Sequence, residues 1–278
     1  MKFHLVYLII ALIFLNISCS KEKEKISIIQ EKSLEMQMIE AYNQGLKELE
    51  QGDAIYAARK FNEAELLYPQ SLWAPRSSLM SAYSYYKQSY YINAIDELRR
   101  FIKIYPNNER IDYAYYLLGM CYYEQIADEK KDLGSIIDAK QIFNFIIKDF
   151  PNSEFALDAE FKLELIEEIL ASKEMYLAKY YIEREKWIPA INRFKTVINK
   201  YDTTIYAEEA LHRLVEIHYV IGLKEEAKKY ANLLGYNYQS SKWYEKSYSV
   251  FDNTYEKNKI KNKKRKKTFL GKFKSLFD

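Results

Sequence analysis

Apolar residues recur along most of this chain at three-to-four spacing, and five times the stripe is punctuated in the same way. Ala57, Ala94, Ala139, Ala190 and Ala227 each stand eleven residues before an aromatic: Tyr68, Tyr105, Phe150, Tyr201 and Tyr238. In the first three units a proline follows, Pro69, Pro106 and Pro151. Three-to-four spacing gathers apolar side chains on one face of a helix, and proline stops the helix. The first unit shows the pattern most clearly. Ile39, Tyr42, Leu46 and Leu49 share a face of a first helix, and Gln51-Gly52-Asp53 turns the chain. Ala57, Phe61, Ala64 and Tyr68 then line a second helix that begins at Ala54. Gly52 is free to take the positive φ of a tight turn. The small Ala57 lets the two helices cross closely, and Phe61, one turn later, is expected to fill the gap to the next hairpin. Neither helix can bury its stripe alone, so the hairpins have to stack. The pattern predicts an all-α solenoid of about five helical hairpins, which is a binding architecture and not a catalytic one.

The spacing between units is uneven, and the unevenness is informative. Gly45 lies twelve residues before Ala57, whereas Gly119 lies twenty before Ala139. Eight extra residues therefore sit around Asp128-Glu129-Lys130-Lys131-Asp132 and are expected to loop out. From Phe150 to Tyr201 the interval grows to 51 residues, and Ala156 to Lys186 contains neither Pro nor Gly. That stretch predicts two helices or one long bent one. It marks a seam between three N-terminal repeats (36–151) and two C-terminal repeats (152–240). Past 240 the periodicity fades into a basic tail (241–278), expected to be largely disordered with a short amphipathic end at Phe269, Leu270, Phe273, Leu276 and Phe277.

The N-terminus follows a different rule. Lys2 precedes an apolar run from Leu5 to Ile17 that ends at Asn16-Ile17-Ser18-Cys19. Thirteen residues, apolar except for Asn16, are short for a spanning helix and match the central region of an export signal. Small Ser18 before Cys19 resembles a bacterial lipoprotein signal, so 1–18 is expected to be removed and Cys19 acylated, with 19–35 as linker. Ser20 after the cysteine points to export to the outer membrane. The usual Leu three residues before the cysteine is replaced here by Asn16. After Cys19 the chain has one other cysteine, Cys121, so no intrachain disulfide is required.

Composition adds two facts. Tyrosine is abundant, with 27 copies, and most fall at helical core spacing. The net charge is +3, but Lys257 to Asp278 carries ten Lys or Arg and one acid, leaving the body mildly acidic. Outside the cytoplasm the counter-charges for such a tail are anionic headgroups or an acidic partner, and nucleic acid is not expected as a partner. No phosphate loop, paired zinc histidines or cysteine cluster appears. His212 and His218 are six apart, which is not a metal-binding spacing on a helix. The adjacent acids Glu167-Glu168 and Glu208-Glu209 read as solvated surface. No metal, cofactor or catalytic residue is expected.

Several runs are more particular than the repeat itself: Ile111-Asp112-Tyr113 with Tyr116 and Gly119, Phe150-Pro151-Asn152-Ser153, and Ala178-Lys179-Tyr180-Tyr181-Ile182-Glu183-Arg184-Glu185-Lys186-Trp187 followed by Ala190, Asn192 and Arg193. In these the chain resembles the BamD family of tetratricopeptide-repeat lipoproteins, over roughly Glu40 to Tyr238. The resemblance implies a tetratricopeptide-repeat solenoid in the machine that inserts β-barrels into the bacterial outer membrane. It implies a lipid-anchored scaffold facing the periplasm, whose N-terminal repeats receive C-terminal segments of unfolded outer membrane proteins. Those segments end in aromatics, which makes Tyr86, Tyr113 and Tyr116 candidate client contacts. The C-terminal repeats are implied to contact a periplasmic domain of the insertase BamA, with Arg193 pairing an acid of that partner, alongside other subunits of the complex. Glu185 stands where the family commonly has a turn glycine, which predicts a turn that is either more strained or differently capped. The repeat pattern alone also fits another periplasmic scaffold, serving division or peptidoglycan enzymes.

Overall fold

The computed structural model describes residues 32–126, 133–239 and 241–251. Cys19, the insertion at Asp128 to Asp132 and the basic tail from 252 onward lie outside the described residues. Every regular element among the described residues is an α-helix: α1 (Leu34–Gln51), α2 (Ala54–Leu67), α3 (Trp73–Lys87), α4 (Tyr91–Ile104), α5 (Ile111–Tyr123), α6 (Gly134–Asp149), α7 (Glu154–Glu183), α8 (Trp187–Lys200), α9 (Ala207–Val220), α10 (Lys224–Asn237) and α11 (Lys242–Ser249). Each of the first ten packs against its neighbours in sequence, giving five stacked hairpins, and α11 docks on α9 and α10. This is the tetratricopeptide-repeat arrangement. Order continues past 240, where the periodicity fades, because Ser241 caps α11 and buried Ser247 and Val250 hold it down.

The hairpin turns share one backbone device. The residue before the N-cap of the second helix takes positive φ in four hairpins: Gly52 at +86°, Ser89 at +62°, Glu185 at +57° and Gly222 at +89°. Glycine adopts this conformation without cost, whereas a side chain pays roughly 1 kcal/mol. The turn at Glu185 is therefore strained, the first of its two expected outcomes, and the turn at Ser89 shares the strain. Asp53 completes the first turn by accepting a hydrogen bond from Tyr56 N at 2.9 Å.

Side chains at the helix crossings are matched in size. A Cβ on Gly45 would lie 2.9 Å from the Phe61 ring, and one on Gly119 would lie 2.7 Å from the Phe143 ring. The equivalent pairs are Ala82 with Leu98, Ala178 with Phe194 and Val215 with Ala231, each pair sharing one core. In the first four hairpins a large residue on the second helix thus faces a small one on the first, and in the fifth the sizes are reversed, Val215 facing Ala231. Phe61 packs 5.2 Å from the Tyr42 ring of its own hairpin, in a cluster against which Met80 and Tyr83 of the next hairpin also pack. A polar cluster adds to that junction. Arg100 of α4 donates to both carboxylate oxygens of Glu65 on α2, at 2.9 and 2.7 Å, while Tyr105 Oη donates to Glu65 at 2.8 Å. Glu65 is buried, and its fully satisfied oxygens are what make that burial tolerable.

The long segment after Pro151 is one helix, the 30-residue α7. Ala159, Ile166 and Leu170 belong to the core of the preceding hairpins, and Ala171, Met175 and Ala178 belong to the core of α8 and α9. The apolar core therefore changes between Leu170 and Ala171, inside α7, later than the boundary expected at 151.

Candidate functional site

An apolar-walled concavity lies in the N-terminal half, a groove of about 690 Å³ between α3, the start of α5 and the start of α7. Its apolar wall comes from Leu72, Trp73, Pro75, Leu79, Met80, Tyr83, Tyr113 and Phe155, and its polar rim from Arg76, Asn108, Glu109 and Arg110. The positions follow from the helical repeat. Trp73, Arg76, Met80 and Tyr83 recur at three-to-four spacing on α3, so one face of that helix supplies one wall. Ser153 caps α7 through Phe155 N at 3.2 Å, which places the Phe155 ring opposite.

Of the three tyrosines expected to contact a client, Tyr113 lines the groove and the other two do not. Tyr86 packs toward Tyr91, with centroids 6.1 Å apart. Tyr116 stacks on Phe155 at 4.9 Å and donates from its hydroxyl to Asp158 Oδ2 at 2.6 Å. Tyr116 thus braces a groove residue from behind. Helical spacing could place these tyrosines on α3 and α5 but not show which side of each helix faces open space. Burial pushes the Tyr113 hydroxyl up to about 12, and burial followed by the Asp158 carboxylate pushes Tyr116 up as well. Both hydroxyls stay neutral. Buried Cys121 is likewise pushed up to about 12 by burial.

The second candidate, Arg193, lies on α8 in the C-terminal half. Its Nη1 donates to both oxygens of Glu174 on α7, at 3.1 and 3.2 Å, and its side chain remains 41% exposed. Beside it a shallow depression is lined by Tyr181, Ile188, Pro189, Asn192 and Thr196, with Ile188 strongly exposed. The arginine is held by one acid at one edge and presents the rest of its guanidinium outward.

The acid pairs are tied between helices and are not merely solvated. Glu167 accepts from Lys140 Nζ at 3.0 Å and Glu168 from Ile205 N at 3.1 Å. Glu208 accepts from the Ser241 hydroxyl, and Glu209 pairs with Arg213 and Lys179, each at 3.2 Å. Adjacent residues do point to different faces, but in a stacked solenoid both faces can meet a neighbour. His212 and His218 are buried packing residues, their Nδ1 atoms 2.9 Å from Ser247 Oγ and 2.7 Å from Leu214 O. Among the described residues no cluster of His, Cys, Asp or Glu is arranged to hold a metal, and no helix is long and apolar enough to cross a membrane.

With this geometry in hand, comparison with known proteins is decisive. The profile of the YfiO outer membrane lipoprotein family matches residues 34–234. The chain belongs to this family. Among its relatives is an outer membrane protein assembly factor BamD from Caulobacter vibrioides, 37% identical over 232 residues, covering 84% of this chain and 75% of that one. The protein of the same description from Rickettsia prowazekii is 40% identical over 212 residues, covering 76% and 84%. That from Neisseria gonorrhoeae is 31% identical over 188 residues, covering 64% and 70%. The family match begins with α1 and ends within α10, so it takes in both the groove and the Arg193 surface and leaves α11 beyond its limit.

Proposed function

We propose that this chain is an outer membrane protein assembly factor of the β-barrel assembly complex, acting by binding and not by turnover. The family match across both candidate surfaces carries this reading. The groove between α3, α5 and α7 takes aromatic C-terminal segments of unfolded outer membrane proteins, with Tyr113 in contact and Tyr116 holding Phe155 in place. The surface around Arg193 docks a periplasmic domain of the insertase BamA, whose acid replaces or joins Glu174 at the exposed edge of the guanidinium. A planar guanidinium can serve two carboxylates because its donors point to separate edges. Cys19 carries the lipid that holds the scaffold to the outer membrane, facing the periplasm, and several acyl chains make that attachment firm.

Crosslinking followed by affinity purification from membranes tests the reading. The wild-type chain is expected to bring down the insertase. Arg193→Glu is expected to reduce that recovery about tenfold, as loss of a charge-assisted pair would do, with helical content unchanged. Full recovery with Arg193→Glu rejects the arginine contact, and recovery of division or cell-wall enzymes in place of the insertase rejects the function.

A further inference from the structure

An apolar peptide segment needs only an apolar wall, yet this groove carries two guanidinium groups. Arg76 on α3 lies over the Trp73 ring at 5.1 Å and over the Tyr42 ring at 5.7 Å. Among the described residues its guanidinium has no carboxylate partner. Contact with the two rings positions the group while its N–H donors can still meet an incoming carboxylate. Arg110 stands at the N-cap of α5 without a side-chain capping bond. Its ion pair with Glu154 is long, 4.0 Å, and both side chains are mostly exposed, at 62% and 75%, so the pair holds it weakly. The positive end of α5 adds to the same rim. Glu109 is the one acid among the residues lining the groove.

We propose that Arg76 reads the free α-carboxylate of a peptide C-terminus, with Arg110 and the start of α5 as supporting donors and the aromatic wall receiving the terminal side chain. This rests on the groove being the client site and adds what the site discriminates. The charge complementarity is local: an aromatic side chain and a carboxylate one residue deep match an aromatic wall beside an unpaired, oriented guanidinium. An internal segment with the same side chains has no carboxylate at that position. A bidentate in-plane contact is what a guanidinium positioned in this way can make. Each unfolded chain has one such terminus, so a site of this kind engages a finished chain at one place and in one direction.

The test is a binding titration of the full-length protein in detergent with two versions of one labelled peptide ending in phenylalanine, a free acid and a C-terminal amide. The free acid is expected to bind about tenfold more tightly, roughly 1.4 kcal/mol. Arg76→Gln is expected to erase the difference between acid and amide, and Arg76→Lys to restore only part of it, because an ammonium lacks the planar fork. Tyr83→Ala is expected to weaken both peptides alike. Equal binding of acid and amide by the wild type overturns the carboxylate assignment while leaving the groove as client site. A difference that survives Arg76→Gln overturns the role of Arg76. Failure of both peptides to bind overturns the carboxylate role and the groove reading together.

Discussion

The two ends of the solenoid are built from the same hairpin but arrange their rings and charges in opposite ways. In the N-terminal half, Trp73, Tyr83, Tyr113 and Phe155 converge on an open groove, and the strongest polar cluster, around Glu65 and Arg100, is buried at a hairpin junction. In the C-terminal half Phe194 is buried in the core, and several other rings turn outward or lie against cations without converging on a groove of that kind. Tyr236 is 82% exposed, Arg184 sits 3.6 Å above the Tyr180 ring, and Lys246 sits 4.1 Å from the Trp243 ring. There the charges form partly buried ties, Arg213 with Glu209 and Glu216, and Arg193 with Glu174. The first arrangement suits an apolar ligand that enters a cleft. The second suits a folded partner that meets a polar face. One repeat can serve both because the crossing residues fix the stacking, leaving the outer faces free to differ.

The comparison depends on α7, which serves both cores, and the largest predicted effect breaks it there. Ala171→Pro places proline in the middle of the helix, where it removes a hydrogen bond and clashes with the preceding turn, at about 3 kcal/mol or more. Calorimetry is expected to show the single wild-type transition split into two, one for each half. A single transition at a lower temperature contradicts the assignment of α7 as the link between two cores.

A second effect is confined to the C-terminal half. His212 lies beneath α11, facing Ser247 and Trp243 of that helix and Glu216 and Arg213 of its own, with Lys246 nearby. Burial holds it down at about 4, against an ordinary value near 6.5 and against the opposing pull of Glu216. The unfolded chain takes up this proton first, so stability is full above about pH 6.5 and falls as pH drops toward 4. The loss approaches about 3 kcal/mol when both states are protonated. Thermal unfolding between pH 7.5 and 4.5 is expected to show this loss in the wild type and a smaller one in His212→Gln. Equal losses in the two proteins remove His212 as the cause.

The smallest effect concerns the turn that precedes α8. Glu185→Gly relieves the positive φ and is expected to stabilise by about 1 kcal/mol, read as a raised denaturant midpoint. Gly52→Ala, at a turn with the same geometry, is expected to destabilise by a similar amount. A neutral result at both positions contradicts a shared left-handed turn.

Much of the fold was legible from spacing alone. The five alanines, the turn at Gly52 and the long proline-free stretch of α7 each report on neighbours close in sequence, and local periodicity is strong evidence for such features. An altered turn at Glu185 was legible because a family glycine is replaced. The groove was not. Its walls come from α3, α5 and α7, and whether a ring faces a cleft or a core depends on how hairpins curve past one another. Tyr116 shows the limit: the resemblance makes it a candidate contact, while its hydroxyl is committed to Asp158. The acids Glu167 and Glu168 fail for the same reason, since adjacency within one helix says nothing about Lys140 or Ile205 on other elements.

The central claim is that the two halves bind different things, and photo-crosslinking in living cells tests it most directly. A photoreactive residue is placed at Tyr83 in the groove and, in a separate strain, at Ile188 beside Arg193. Position 83 is expected to capture unfolded outer membrane proteins and position 188 the insertase. Capture of the same protein from both positions, or of no outer membrane protein from position 83, contradicts the division of labour between the halves.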